Sequence, residues 1–211
     1  ALEWAAKAKI IALDKTGTLT YGKPQLHKIQ TAPNVSESEV LTLAASVEKS
    51  SEHPLAQALI SAAQQRSLVL PKAEEFLAIS GLSVEAIVEN QLIQLGSEKW
   101  FLKSGLKVPE NIEVLDPKST LVHVVRDGCW IGLLECQDEL RAESKSFVKF
   151  AKRQGREIAI LSGDRSRVVQ SAALELGVQN WKAELSPLDK AKKIERWQDQ
   201  RQLVLFVGDG M

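Results

Sequence analysis

The sequence predicts an α/β protein: a doubly wound parallel sheet with helices on both sides, interrupted by an inserted α+β module with an antiparallel sheet. Three observations carry that expectation. A short apolar run, Ile10-Ile11-Ala12-Leu13, is followed at once by Asp14 and a glycine-bearing turn. From about residue 129 onward, strand-like and helix-like stretches alternate at the spacing of βαβ units. Between these parts, residues 28–128 read as two helices followed by closely spaced strands, the texture of a separate module. The expected division is 1–27 and 129–211 for the outer domain and 28–128 for the insertion.

The first strand, residues 10–13, is uniformly apolar, as a strand covered on both faces must be. A helix is expected over 36–49, where Ser36 and Glu39 have the spacing of a capping box. A second runs from Pro54 to about Arg66. Strands follow at 75–80, 84–89 and 92–95, with Glu89-Asn90-Gln91 as a hairpin turn. A short helix near 97–103 and a strand at 120–126 complete the insertion. The outer domain resumes with a strand at 131–136 and a helix at 139–154, whose Phe147, Val148 and Ala151 share a face. Then come a strand at 157–161 and a helix at 166–176 closed by Gly177. A helix at 187–198 opened by Ser186-Pro187 and a strand at 203–207 end the pattern.

Hydrophobic residues make up 44% and charged residues 26% of the chain, the balance of a globular protein. With 27 basic and 27 acidic residues the net charge is zero, so the electrostatic footprint of a nucleic-acid or membrane-surface binder is missing. Cys129 and Cys136 have no metal-ligand spacing with the histidines and suit core or strand positions in a reducing compartment. No apolar run approaches the ~20 residues a membrane span needs, and the start lacks a signal-peptide pattern. The amphipathic beginning at Leu2 and Trp4, and an end just after Gly208-Asp209-Gly210, give the expectation of a piece cut from a longer protein.

A carboxylate at the C-terminal end of a buried strand lies where open α/β sheets do their chemistry. Set beside a lysine and turn N–H groups, it can attack a phosphoryl group and carry it as an acyl phosphate. Such transfer needs a nucleophile, a hydroxyl and a cation for the phosphoryl oxygens, and carboxylates for Mg2+. Each has a candidate near a predicted strand end. Asp14 is the nucleophile, Ser162 of Ser162-Gly163-Asp164 the hydroxyl, Lys190 the cation, and Asp209 a Mg2+ ligand beside Asp14. Alone, Ser162-Gly163-Asp164 reads as a turn and Lys190 as a solvated helix lysine. Their recurrence at successive strand ends is what marks a site.

These motifs carry a resemblance. Asp14-Lys15-Thr16-Gly17-Thr18-Leu19-Thr20 resembles the phosphorylation motif of the P-type ATPases, a branch of the haloacid dehalogenase-like hydrolases. Ser162-Gly163-Asp164 is similar to the family's Thr-Gly-Asp motif, with Ser for Thr, and Pro187 with Lys190 to its catalytic-lysine segment. Asp138 and Arg141 resemble an Asp-x-x-Arg stretch of the same domain. Gly208-Asp209-Gly210-Met211 looks like the start of a motif that continues in the family with Asn-Asp. Superfamily phosphatases carry an Asp general acid/base two residues after the nucleophile. Thr16 stands there, and Thr has no proton to exchange near neutral pH. A slowly hydrolysing acyl phosphate suits a pump more than a phosphatase.

In the insertion, His53 precedes Pro54 at the opening of a helix, where an imidazole can stack on or hydrogen-bond an adenine, with Glu48 or Glu52 alongside. Ser51-Glu52-His53-Pro54-Leu55 resembles the nucleotide-domain signature of the heavy-metal-transporting class, with Glu48 at its adenine-binding position. That class has Gly-x-Gly where this chain has Gly81-Leu82-Ser83, and Asn where it has Ser97. Ser83 adds a side chain where backbone would approach phosphate, and Ser97 lacks an amide's paired donor and acceptor.

The resemblance, which covers essentially the whole chain, implies the ATP-binding and phosphorylation domains of a heavy-metal pump, copper first, from the cytoplasmic face of a membrane. ATP near Glu48, His53, Gly81, Ser83 and Ser97 would phosphorylate Asp14, with Lys15, Thr16, Ser162, Gly163, Asp164 and Lys190 in the catalytic group. Mg2+ would sit at Asp14, Thr16 and Asp209. The transported ion would bind membrane and metal-binding domains outside this chain, itself expected to be monomeric and to bind no nucleic acid. Two alternatives stay open: a soluble phosphatase with residues 28–128 as its cap, and a nucleotide-binding regulatory module without chemistry.

Overall fold

The computed structural model describes residues 7–51, 53–79, 83–107, 109 and 116–208. It divides into two compact units, one of Ala1–Gly22, Asp116–Lys118 and Asp138–Met211, the other of Lys23–Leu115 and Ser119–Gln137.

The first unit is built on β1 (Ile10–Asp14), β8 (Glu157–Leu161), β9 (Asn180–Lys182) and β10 (Val204–Val207), in the order β10-β1-β8-β9. β1 pairs in parallel with β10 on one side and β8 on the other. Such a strand alternates its side chains between two covered faces. Ile11 and Leu13 pack with Val148, Ala151, Val169 and Ala173, which come from α4 (Ala142–Arg153) and α5 (Ser166–Leu176). Ile10 and Ala12 pack with Ala159, Leu161 and Trp197, the last from α6 (Pro187–Asp199). Helices therefore cover both faces, and each buried Ile or Leu contributes about 1.5–3 kcal/mol relative to exposure. β1 is apolar throughout because neither face meets water.

The second unit is a six-stranded sheet in the order β2-β7-β6-β5-β4-β3, every neighbouring pair antiparallel. Its strands are β2 (Gln25–Thr31), β3 (Ala73–Ile79), β4 (Ser83–Val88), β5 (Gln91–Gly96), β6 (Thr120–Arg126) and β7 (Cys129–Gln137). The helices are α1 (Glu37–Glu48), α2 (Pro54–Gln65) and the short α3 (Glu98–Lys103). Val40, Leu41, Ala44 and Leu59 of α1 and α2 join Val88, Ile93, Leu95 and Leu134 of the sheet in one core. Half of the expected capping box forms: Ser36 accepts the Glu39 N–H, while the Glu39 carboxylate pairs with Arg126.

The unit boundaries differ from the expected division. The strand expected at 131–136 in the parallel domain is β7, which lies between β2 and β6 in the antiparallel sheet. The cause is local. Asp127 and Gly128 both take positive φ (47° and 77°), the geometry of a two-residue hairpin turn, so β6 returns directly as β7. β2, for which the sequence offered no signal, pairs with β7 and moves the other boundary to Gly22. The helix expected from residue 139 begins only at Ala142.

Gly132 of β7 has no room for a side chain: a Cβ would lie 2.8 Å from the Gln30 carbonyl oxygen and from a Val40 methyl. Gly132→Ala is expected to destabilise this unit by about 1–3 kcal/mol, the usual range for overpacking, read as a lowered denaturant midpoint.

Candidate functional site

At the end of β1 the buried run stops at a carboxylate that is itself only 8% exposed. Asp14 Oδ1 accepts the Lys15 N–H at 2.7 Å, and Oδ2 accepts from Lys190 Nζ at 2.6 Å. Lys190 reaches it from the first turn region of α6, whose start is fixed by Pro187 and a complete Ser186–Asp189 capping box. Both side chains of the ion pair are nearly enclosed, at 12% and 11% exposure. Removing one partner of such a pair strands a charge, at a cost of about 3–5 kcal/mol.

The segment after Asp14 turns sharply: Gly17 has φ 74°, a left-handed value that favours glycine. Among the described ion pairs the Lys15 ammonium is not partnered with Asp14. It lies 3.0 Å from Asp164 instead. The Asp164 carboxylate also accepts from the Thr16 hydroxyl at 3.1 Å and the Ser162 hydroxyl at 2.8 Å. Burial pushes the Asp164 pKa upward, but Lys15 and the hydrogen bonds from Ser162, Lys15 and Thr16 outweigh it and hold the carboxyl below its ordinary value. Gly163 sits in the turn between them, where a Cβ would come within 3.3 Å of the Leu185 carbonyl oxygen.

Asp14, Lys15, Thr16, Ser162, Gly163, Asp164 and Lys190 are thus brought together in one unit. Two ion pairs, Asp14–Lys190 and Lys15–Asp164, lie side by side along the backbone of residues 14 and 15. Gly208, after β10, lies against Asp14: a Cβ there would be 3.4 Å from that of Asp14. Asp209, expected to ligate Mg2+, lies outside the described residues.

The nucleotide candidates belong to the other unit. His53 is the N-cap of α2, its Nδ1 accepting the Leu55 N–H at 3.2 Å. That bond fixes the tautomer of the neutral ring, leaving the proton on Nε2. Glu48, at the end of α1, is buried at 6% exposure, and its Oε2 has no hydrogen-bond partner among the described residues. Burial raises its pKa above the ordinary value, only partly opposed by a hydrogen bond from Ser51. The Cys136 thiol is pushed up to about 12 by burial and then by the Glu48 charge. Ser83 and Gly96 are partners in the β4–β5 register, which puts Ser83 beside Ser97 at one sheet end. The Ser83 hydroxyl is buried and unpartnered among the described residues, whereas Ser97 caps α3 by accepting the Trp100 N–H. Gly81 and Glu52 lie outside the described residues.

Residues 8–211 match the family model of haloacid dehalogenase-like hydrolases. The chain belongs to the haloacid dehalogenase-like hydrolases. Within them it is similar to heavy-metal P-type ATPases. It is 36% identical over 212 residues to "Copper-exporting P-type ATPase B" of Archaeoglobus fulgidus, covering 100% of this chain and 30% of that protein. It is 37% identical over 217 residues to the "Zinc/cadmium/lead-transporting P-type ATPase" of Escherichia coli, covering 100% of this chain and 28% of that protein. The solved catalytic domain of the CPx-ATPase CopB-B, described in terms of its changes upon nucleotide binding, superposes with a TM-score of 0.77 at 28% identity. That match covers 100% of this chain and 77% of the other. The chain spans less than a third of the length of these curated relatives.

Sequence reasoning missed Thr20. Its hydroxyl oxygen lies 2.6 Å from Asp138 and 3.1 Å from the Lys15 carbonyl oxygen, and accepts the Gly17 N–H at 3.2 Å. Thr20 closes the motif, but nothing in the local pattern announces a partner 118 residues away.

Glu48 gives a test by pH. Between its ordinary value of 4.5 and its raised value, the folded protein keeps a proton that the unfolded chain has lost. Its contribution to stability is therefore full below pH 4.5 and lost as pH rises through the raised value. Glu48→Gln is expected to remove that slope, raising the thermal midpoint at neutral pH while leaving it nearly unchanged at pH 4.5, as read by circular dichroism.

Proposed function

We propose that this chain is the ATP-binding and aspartyl-phosphorylating part of a membrane pump that moves a heavy-metal ion, copper first. The observation that carries the reading is the buried Asp14–Lys190 pair at the end of β1. A carboxylate held there by one ammonium and one N–H is fixed for attack, and Lys190 stands ready to neutralise phosphoryl charge. An Asp14 oxygen attacks the γ-phosphorus of ATP, the bond to the β–γ bridging oxygen breaks, and ADP leaves. Water later cleaves the acyl phosphate. The Thr16 hydroxyl, hydrogen-bonded to Asp164, is a poor proton carrier for that second step, which favours a long-lived intermediate over phosphatase turnover.

The antiparallel unit holds the base of the nucleotide. The buried, unpartnered Glu48 Oε2 is an acceptor suited to an adenine amino group, and the fixed His53 ring offers a stacking face. Ser83 supplies a further buried hydroxyl. The donor set at β1 suits Mg2+ as well, since that ion takes one or two carboxylates together with phosphate oxygens and water. Asp14, Thr16 and Asp209 are the candidates to hold it, and bound there it would offset phosphoryl charge.

Copper is the first choice of cargo, with zinc, cadmium or cobalt as competitors, since ligand softness in the membrane helices sets the ion. The relatives include both a copper exporter and a zinc/cadmium/lead transporter.

In the intact pump, ATP and Mg2+ are expected to give a hydroxylamine-sensitive phosphoenzyme that vanishes in Asp14→Asn. Persistence of the label in that variant would place the acceptor elsewhere. His53→Ala is expected to weaken ATP binding about ten-fold, or ~1.4 kcal/mol, by calorimetry. His53→Asn keeps a helix-capping side chain but loses the ring, so equal loss in both variants assigns the effect to the imidazole. An unchanged dissociation constant in both would remove His53 from the site.

A further inference from the structure

Asp14 sits on a segment whose shape is imposed from a distant part of the chain. The Thr20 hydroxyl has one proton and three neighbours: the Asp138 carboxylate at 2.6 Å, the Lys15 carbonyl oxygen at 3.1 Å and the Gly17 N–H at 3.2 Å. The charged, nearer oxygen takes the proton, and a lone pair of the hydroxyl receives the Gly17 N–H. Arg141 works on the same turn from the other direction. Its Nε donates to the Thr20 carbonyl oxygen at 2.9 Å and its Nη2 to the Gly17 carbonyl oxygen at 3.1 Å. The guanidinium also lies 5.2 Å from the centre of the Tyr21 ring. Backbone bonds extend the same seam, the Arg141 N–H to the Leu19 carbonyl oxygen and the Tyr21 N–H to that of Glu139.

We propose that Thr20, Asp138 and Arg141 are positioning residues for the aspartyl acceptor, a clamp that sets the turn between Lys15 and Thr20 and with it the N–H that orients Asp14. The proposal rests on Asp14 being the phosphoryl acceptor. None of the three touches the Asp14 carboxylate in the described hydrogen bonds, yet each grips the turn that starts with the Lys15 N–H bonded to it. A glycine at φ 74° has no side chain to hold its own conformation, so the hold must come from elsewhere. Arg141 supplies a planar fork that a lysine cannot reproduce, and Thr20 supplies a hydroxyl that serine retains and valine lacks.

The test has two arms. In this chain, Thr20→Val is expected to speed hydrogen exchange at the Gly17 and Thr20 amides by about ten-fold, the scale of one net hydrogen bond. Amides of β8 and α4 should be unmoved. In the intact protein, Thr20→Val and Arg141→Lys are expected to slow phosphoenzyme formation from ATP about ten-fold at unchanged half-saturating ATP, with Thr20→Ser restoring the rate. Unchanged exchange at Gly17 would overturn the clamp. Faster exchange with a normal phosphorylation rate would overturn the positioning role and leave Asp14 as acceptor. A wild-type protein without hydroxylamine-sensitive label would overturn the acceptor reading and the clamp's role with it.

Discussion

A carboxylate can end a strand that is buried on both faces only if something else carries the opposite charge to it. That constraint organises the parallel unit. A buried carboxylate without a partner would be pushed toward its neutral form, useless as a nucleophile. Lys190 answers it, and Lys190 is in place because Ser186, Pro187 and Asp189 start α6 at the right residue. Lys15 would be a second ammonium against the first, and it is turned away to its own carboxylate on Asp164. Each cation in the group thus has an anion of its own, and the network closes through Thr16 and Ser162.

The antiparallel unit treats a buried carboxylate in the opposite manner. Among the described residues Glu48 has no cation acting on it, is desolvated, and keeps one oxygen unbonded. A fold tolerates such a group where a ligand completes it. Asp14 is finished by the protein, whereas Glu48 is left for something else to finish. The contrast follows the roles proposed for them, one group that reacts and one that recognises.

Most of this was legible in the sequence where the signal was local. The uniformly apolar run at 10–13, the Ser186-Pro187 helix start and the Gly177 helix stop each name a structure within a few residues, and the structure bears them out. The Asp14 and Ser162 turns were legible because each follows a buried strand. What failed was whatever depended on a distant partner. β2 alternates weakly and becomes a strand because β7 lies beside it. The apolar β7 fits a parallel or an antiparallel sheet equally well, and the Asp127-Gly128 turn decides between them. Thr20 looks like a motif's last letter until Asp138 comes to it. The pairing of Lys15 with Asp164 had no local signal either, because its partner lies far along the chain.

The pairing of β2 with β7 has a consequence for how the chain folds. Gln25 and Gln137 are direct partners, and Thr20 bridges to Leu140 just outside them. The inserted unit therefore begins and ends at neighbouring points, like a cassette with its two leads soldered together. A disordered connection between β1 and β8 would add an entropic cost to their pairing that grows by about 0.6 kcal/mol with each doubling of its length. A connection that folds first and brings its own ends together shortens that effective loop to residues 15–24 and 138–156. Parallel sheets assemble slowly because their partners are distant in sequence; here the insertion makes residues on either side of it neighbours before the parallel sheet forms.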